Sequence, residues 1–164
     1  LGGHPMAGRE TSGLDSAREE LFLGTSYILT PTEKNTQAAL SVLTALAKDL
    51  GAAQVRTMSP EAHDGLVAYT SHMPHLLALA LMDIWEEGSQ DMAGGSFRDA
   101  TRVARINETL WGELFLENKE ELLPRSRRVQ EARGAYGTLL EAGDRKALEE
   151  RMRRAKGQKE RMEP

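Results

Sequence analysis

The feature that most constrains the fold is a change of sequence pattern at Ser59. Before it, two β-prone runs at 27–30 and 54–58 flank a stretch with helical apolar spacing. A strand, a helix and a strand within about thirty residues are typical of a parallel sheet. The tripeptide Ser59-Pro60-Glu61 combines a capping hydroxyl, a first-turn proline and an acid near the positive helix end. We therefore predict a mainly α chain, with a β-α-β segment at 1–58 followed by a helical domain at 59–164.

The helical part divides at its glycines and prolines. The first helix is predicted to run to about Trp85 with a kink at Pro74, because proline removes one backbone donor from a helix interior. A glycine-rich loop follows, and Asn107 is placed to cap the next helix. A longer helix is predicted at 118–141, with a charged helix after it. The apolar side chains of the longer helix recur at near-heptad spacing and need a partner surface: Leu122, Val129, Ala132, Tyr136 and Leu139.

The composition narrows the class of protein. Cysteine is absent, which excludes a disulfide framework. No apolar run approaches the ~18 residues that span a bilayer, and the first residues do not resemble a signal peptide, so we expect a cytoplasmic protein. Residues 144–164 hold eight Lys or Arg and five Asp or Glu, whereas the whole chain has a net charge of −4. These basic residues alternate with glutamate without interleaved aromatics, which indicates a solvated helix face and not nucleic-acid binding.

The histidines are the first candidates for chemistry. His4 lies in a glycine-flanked stretch with no regular pattern, which predicts a reactive side chain on a loop. His72 and His75 are one helical turn apart, and His63 lies three turns earlier, so the three could share a face. Metal ligation would suit this spacing, but no cysteine, no His-Glu-x-x-His and no acidic cluster joins them, so no metal site is predicted. Helix-packing histidines bonded to the backbone remain the alternative.

A second candidate site follows the glycine-rich loop. Gly94 and Gly95 would let a ligand approach the backbone closely. Asp99 and Arg102 are three residues apart, so on a helix they can pair, and an arginine oriented by an acid suits bidentate capture of a carboxylate. An ordinary surface ion pair is the alternative. The chain has no Gly-x-Gly-x-x-Gly and no Gly-x-Ser-x-Gly, so neither a phosphate-cradling loop nor a serine-hydrolase site is predicted.

Four blocks together carry a resemblance to a known family. They are His4-Pro-Met-Ala-Gly8, Thr57-Met-Ser-Pro-Glu-x-His-Asp64, Ser71-His-Met-Pro-His75 and Phe97-Arg-Asp-x-Thr-Arg102. In order and spacing, up to about residue 123, they resemble the prephenate and arogenate dehydrogenases of tyrosine biosynthesis. The resemblance implies that 1–58 is the end of an NAD(P)-binding Rossmann domain and 59–164 a helical substrate-binding and dimerisation domain. It also implies a homodimer, and the chain is expected to be a piece of a longer protein.

The resemblance further implies an activity and roles for single residues. The reaction is the oxidative decarboxylation of prephenate to 4-hydroxyphenylpyruvate with NAD or NADP, and tyrosine is an expected competitive product inhibitor. His4 would take the proton of the substrate ring hydroxyl. Arg102 would hold a substrate carboxylate, oriented by Asp99 and Glu10. The other pocket residues would be His75, Gly95 and Trp111, with His63, His72 and Arg9 near the site.

Two alternatives stay open. Arogenate dehydrogenase has the same chemistry on a substrate that carries an amine in place of the keto group. Arg9 stands where many relatives have a small hydroxyl residue, and this departure leaves the choice of substrate open. A non-catalytic helical dimerisation module is the alternative of another class, although such a module needs none of His4, His75 and Arg102. The glycine-rich cofactor loop is absent from these residues, so the 164-residue chain alone is expected to be inactive.

Overall fold

A computed structural model of the chain describes residues 1–9, 11 and 13–162. It divides into two compact units, Leu1–Leu122 and Leu123–Pro164. The strands are β1 (Gly2–Pro5), β2 (Ser26–Thr30) and β3 (Gln54–Thr57). The α-helices are α1 (Gln37–Asp49), α2 (Pro60–Val67), α3 (Met73–Asp83), α4 (Gly95–Thr101), α5 (Glu108–Glu117), α6 (Lys119–Glu141) and α7 (Arg145–Met162). Within the described ranges, no helix combines the length and the apolar character needed to cross a membrane.

The predicted β-α-β segment is confirmed. Strands β2 and β3 are parallel, with Ser26 opposite Gln54, and α1 connects them. The Thr36 hydroxyl accepts a hydrogen bond from the Ala39 amide and caps the start of α1. After α1, Gly51 adopts a φ of +95°, a left-handed conformation that glycine reaches without a Cβ clash. The mainly helical fold class is confirmed as well, because only short strands accompany the helices.

The expectation of irregular backbone around His4 is wrong. Residues 2–5 form β1, which pairs antiparallel with β2 at the edge of the sheet, and His4 lies opposite Ile28. The sequence Gly-Gly-His-Pro has low strand propensity, so local pattern gives no sign of this strand. The hydrogen bonds offered by β2, more than twenty residues later, decide the conformation. Pro5 is tolerated there because the strand is at an edge and ends at the proline.

The first long helix deviates from the predicted kink at Pro74. Helix α2 begins after Ser59, whose hydroxyl accepts from the Ala62 amide, and it passes into a π-helical turn, Ala68–His72, before α3. Pro74 has no amide hydrogen to offer the Thr70 carbonyl, and its ring crowds that carbonyl. The wider π turn just before the proline relieves this conflict, so the irregularity lies before Pro74 and not at it.

In the second unit, which contains α6 from Leu123 onwards, a short turn joins α6 to α7. Gly143 there has a φ of +62°, and the Asp144 carboxylate accepts from the Ala147 amide to cap α7. The Arg151 guanidinium of α7 lies 4.9 Å from the Tyr136 ring centroid of α6, a cation–π contact between the helices. The charged face of α7 is solvated, with i,i+4 ion pairs such as Arg145 to Glu149 at 2.7 Å.

Candidate active site

The side chains that could take part in catalysis or ligand binding meet around one cavity of about 800 Å³ in the first unit. Strand β1 contributes His4, α2 contributes His63, and α3 contributes His75. Arg102 begins the 3-10 turn after α4, and Trp111 comes from α5. Because β1 pairs with β2, and β2 also packs on α2, His4 is brought beside His63. Helix α3 packs on the 3-10 turn and thereby brings Arg102 to the same cavity.

Three polar side chains form a chain of contacts along one side of the cavity. The Nδ1 atom of His4 lies 2.8 Å from Nε2 of His63, and the two rings meet edge to face. On its other nitrogen, His63 Nδ1 lies 2.8 Å from Oδ1 of Asp64. The His63 side chain is 19% exposed and that of Asp64 is 55% exposed, so this series of contacts runs from the cavity to solvent.

The environment disfavours protonation of two of the histidines. Burial lowers the pKa of His4 below its ordinary value of 6.5, and the neighbouring His63 lowers it further. Burial also lowers the pKa of His72, with a smaller effect from His75. A neutral imidazole has a lone pair that can accept a proton, so His4 is suited to act as a general base near pH 7.

An aromatic cluster forms another side of the cavity. The Trp111 indole stacks on the His75 ring, with centroids 3.6 Å apart and planes 24° apart. His72 meets both Trp111 and Phe115 edge to face at 5.9 Å, and it is 4% exposed. The His75 ring is fixed by a 2.8 Å hydrogen bond from its Nδ1 to the Ser71 carbonyl. Such a stacked surface suits a planar or nearly planar six-membered ring.

Guanidinium groups give the cavity its charge. Arg9, Arg102 and Arg105 line it, whereas Asp64 and Glu117 are the carboxylates among its described lining residues. An arginine binds a carboxylate through two parallel hydrogen bonds, so this cavity can accept an anionic ligand. In the described part of the chain, no cluster of three or more His, Asp or Glu side chains could hold a metal ion.

The structure brings together most, but not all, of the residues singled out in the sequence. The cavity is lined by His4, Arg9, His63, His72, His75, Arg102 and Trp111. Gly95 and Asp99 lie on α4 and do not line it. The helix ends at Thr101, between Asp99 and Arg102, and Arg102 begins the 3-10 turn that follows. Glu10 lies outside the described residues.

Sequence reasoning assigned no role to three residues that belong to this site. Asp64 bonds His63, and Arg105 lines the cavity. The Asn118 side-chain amide donates to the Asp64 carbonyl at 3.0 Å and lies 3.5 Å from Nδ1 of His72. Asp64 could have been noticed as the acid directly after His63, and Asn118 as the polar residue that ends α5. Nothing in the local pattern singles out Arg105.

Two family models match consecutive parts of the chain. Residues 1–56 match the model described as prephenate dehydrogenase, nucleotide-binding domain. Residues 59–154 match the model described as prephenate dehydrogenase, dimerization domain, which alone accounts for more than half of the chain.

Curated relatives agree with these matches. The chain is 40% identical over 131 residues to a prephenate dehydrogenase of Bacillus subtilis, an alignment that covers 76% of this chain and 35% of the relative. It is 38% identical over 128 residues to a cyclohexadienyl dehydrogenase of Zymomonas mobilis, covering 74% of this chain and 43% of the relative. The chain thus spans less than half the length of these relatives.

Solved structures share the fold. A prephenate dehydrogenase from A. aeolicus in complex with hydroxyphenyl propionate and NAD+ has a TM-score of 0.87 at 31% identity, covering 98% of this chain and 58% of that one. A Synechocystis arogenate dehydrogenase has a TM-score of 0.82 at 28% identity, covering 98% and 60%. With a family match over more than half of its residues and this agreement in fold, the chain belongs to the prephenate dehydrogenase family.

Proposed function

We propose that these residues belong to an NAD(P)-dependent prephenate dehydrogenase of tyrosine biosynthesis, which converts prephenate to 4-hydroxyphenylpyruvate and CO2. One observation carries the proposal: a histidine with a lowered pKa, an aromatic stack and several arginines line a single cavity. Prephenate has a six-membered ring, a ring hydroxyl and two carboxylates, and each of these groups finds a chemical partner there.

His4 is proposed as the general base and Arg102 as the carboxylate anchor. His4 accepts the proton of the ring hydroxyl while a hydride leaves the carbon that bears it, which turns the alcohol into a carbonyl. The ring carboxylate then leaves as CO2, its bonding electrons make the ring aromatic, and the ring oxygen takes up a proton. Arg102 holds a carboxylate throughout. The stacked pair of Trp111 and His75 packs against the ring.

The hydride acceptor is proposed to be a nicotinamide dinucleotide. These 164 residues lack a site for its pyrophosphate, because they contain no Gly-x-Gly-x-x-Gly loop. We propose that residues outside this sequence hold the pyrophosphate, in line with the relatives' greater length and the match to a nucleotide-binding family model. On this proposal, 1–58 is the end of the dinucleotide-binding domain and 59–164 is the domain for substrate binding and dimerisation.

Prephenate is proposed as the substrate in preference to arogenate because of the charge of the cavity. Prephenate carries two negative charges, whereas arogenate adds an ammonium group that would lie among Arg9, Arg102 and Arg105. Arogenate is kept as the second candidate, because a relative of the same fold is an arogenate dehydrogenase. Tyrosine, which shares the product's hydroxyphenyl ring, is proposed as a competitive inhibitor.

Steady-state kinetics of the complete parent enzyme test this function. We expect reduced nicotinamide to form with prephenate and NAD+ or NADP+, and kcat/KM to be higher for prephenate than for arogenate. A preference for arogenate would establish the second candidate. No turnover of either substrate would refute the proposed activity and leave a non-catalytic helical module.

A homodimer is proposed for the helical part. Several leucines of α5 and α6 are exposed in the single chain, including Leu116 at 70% and Leu140 at 66%, and exposed apolar helix faces commonly pack on another chain. Among the apolar side chains that recur at near-heptad spacing on α6, Leu122 is buried whereas Ala132 is exposed. The match to a dimerization-domain model supports the same proposal.

Sedimentation equilibrium of the chain is expected to give twice the monomer mass of 18.1 kDa. An obligate interface of this type should bury more than about 2,000 Å² in total, so the dimer should persist at micromolar concentration. If the measured mass is that of one chain at concentrations well above micromolar, the proposed dimer is refuted.

A further inference from the structure

The contacts of His63 determine where its hydrogens lie. A carboxylate only accepts hydrogen bonds, so the 2.8 Å contact with Asp64 requires the hydrogen to be on Nδ1 of His63. A neutral imidazole carries one N–H, so Nε2 of the same ring is left with a lone pair. That lone pair lies 2.8 Å from Nδ1 of His4, which must therefore carry a hydrogen and donate it.

We infer that the Asp64–His63 pair is a positioning device that sets the tautomer of His4. With its hydrogen on Nδ1, His4 has its lone pair on Nε2, the ring nitrogen that the pair does not occupy. His63 and Asp64 act through His4 and are positioning residues. The consequence for catalysis rests on the proposed function, whereas the tautomer itself does not.

The same arrangement shows what disables the device. If His63 takes up a second proton, both of its nitrogens become donors, and Nδ1 of His4 must then accept. A neutral His4 would in that case carry its hydrogen on Nε2 and have no lone pair there. The catalytic form therefore requires both histidines to be neutral, and the hydrogen on His63 to be held towards Asp64.

The two other histidines provide an internal reference. The Ser71 carbonyl only accepts, so His75 carries its hydrogen on Nδ1. The Asn118 amide nitrogen is oriented by its hydrogen bond to the Asp64 carbonyl, and it lies 3.5 Å from Nδ1 of His72. Nδ1 of His72 is therefore an acceptor, and that ring carries its hydrogen on Nε2. Three histidines are thus assigned one tautomer and the fourth is assigned the other.

Nuclear magnetic resonance of the chain with ¹⁵N-labelled histidine tests the assignment, because the two nitrogens of each neutral ring have distinct shifts. Above the pH at which the histidines are neutral, His4, His63 and His75 are expected as Nδ1–H and His72 as Nε2–H. In His63→Leu, His4 should shift towards Nε2–H, whereas His63→Gln should keep Nδ1–H by accepting through its amide oxygen. Unchanged His72 and His75 signals show that each variant is folded. Finding His4 as Nε2–H in the unaltered protein, or unmoved in a folded His63→Leu, would overturn the inference.

Kinetics of the parent enzyme test the consequence for catalysis. His63→Leu is expected to lower kcat about 10- to 100-fold with little change in KM, the scale seen when a partner that orients a histidine is lost. His63→Gln should recover kcat to within about fivefold of the unaltered enzyme, because an acceptor is restored. Equal losses in both variants would refute the positioning role. If the enzyme does not oxidise prephenate at all, the proposed function fails, and the resonance experiment still decides the tautomer.

Discussion

Replacing His4 by asparagine in the parent enzyme is expected to lower kcat by about 10²- to 10⁴-fold, the usual loss when a general base is removed. The KM for prephenate should change much less, because the proton transfer belongs to the transition state and not to substrate binding. Stopped-flow and steady-state measurement of nicotinamide reduction would give both constants. A kcat within threefold of the unaltered enzyme would remove His4 from the mechanism.

The pH profile gives a second measure of His4. The base must be unprotonated, and burial together with His63 lowers the pKa of His4 below 6.5. Activity should therefore decline as the pH falls through the lowered pKa of His4. The acid limb of kcat/KM, which reports groups of the free enzyme, should have its midpoint below 6.5. A midpoint above that value would show that the protonation of His4 alone does not set the acid limb.

Replacing Arg102 by alanine is expected to raise the KM for prephenate by about 10- to 100-fold and to leave kcat nearly unchanged. A hydrogen bond to a charged group contributes about 1.5 to 3 kcal/mol, and a carboxylate anchor holds the ground state and the transition state alike. Steady-state kinetics would separate the two constants. A fall in kcat at constant KM would show that Arg102 acts on the reacting atoms and does not anchor a carboxylate.

Arg98 offers a matched control for this experiment. It is the same residue type, on α4 just before the 3-10 turn that carries Arg102, but it does not line the cavity. Its guanidinium Nε donates to the Ala93 carbonyl at 3.2 Å. Arg98→Ala should therefore change KM less than about threefold, as expected for an exposed contact. A comparable rise in KM in both variants would point to a loss of helix structure or of general positive charge, and not to a bound carboxylate.

The sequence by itself determined the features that depend on a few neighbouring residues. In the β-α-β segment, the strands follow from β-prone runs and the helix from apolar periodicity. Thr36, Ser59 and Asn107 have side chains that favour helix capping, and each caps a helix. Gly51 and Gly143 end helices with a positive φ. The motif blocks around His4, His63, His75 and Arg102 also indicated the family, because the order and spacing of motifs are visible in the sequence alone.

Only the tertiary structure decided the features that depend on distant partners. Strand β1 exists because β2 offers it hydrogen bonds, and no local propensity predicts it. His4 and His63 are 59 residues apart, and their contact arises from the pairing of β1 with β2 and the packing of α2 on the sheet. Arg102 lines the cavity whereas Asp99, three residues earlier on α4, does not, a difference that their spacing in the sequence does not show. Periodicity and capping act within a few residues, whereas the direction of a hydrogen bond between two rings depends on how separate elements pack. The tautomer of His4 could therefore be inferred only from the folded chain.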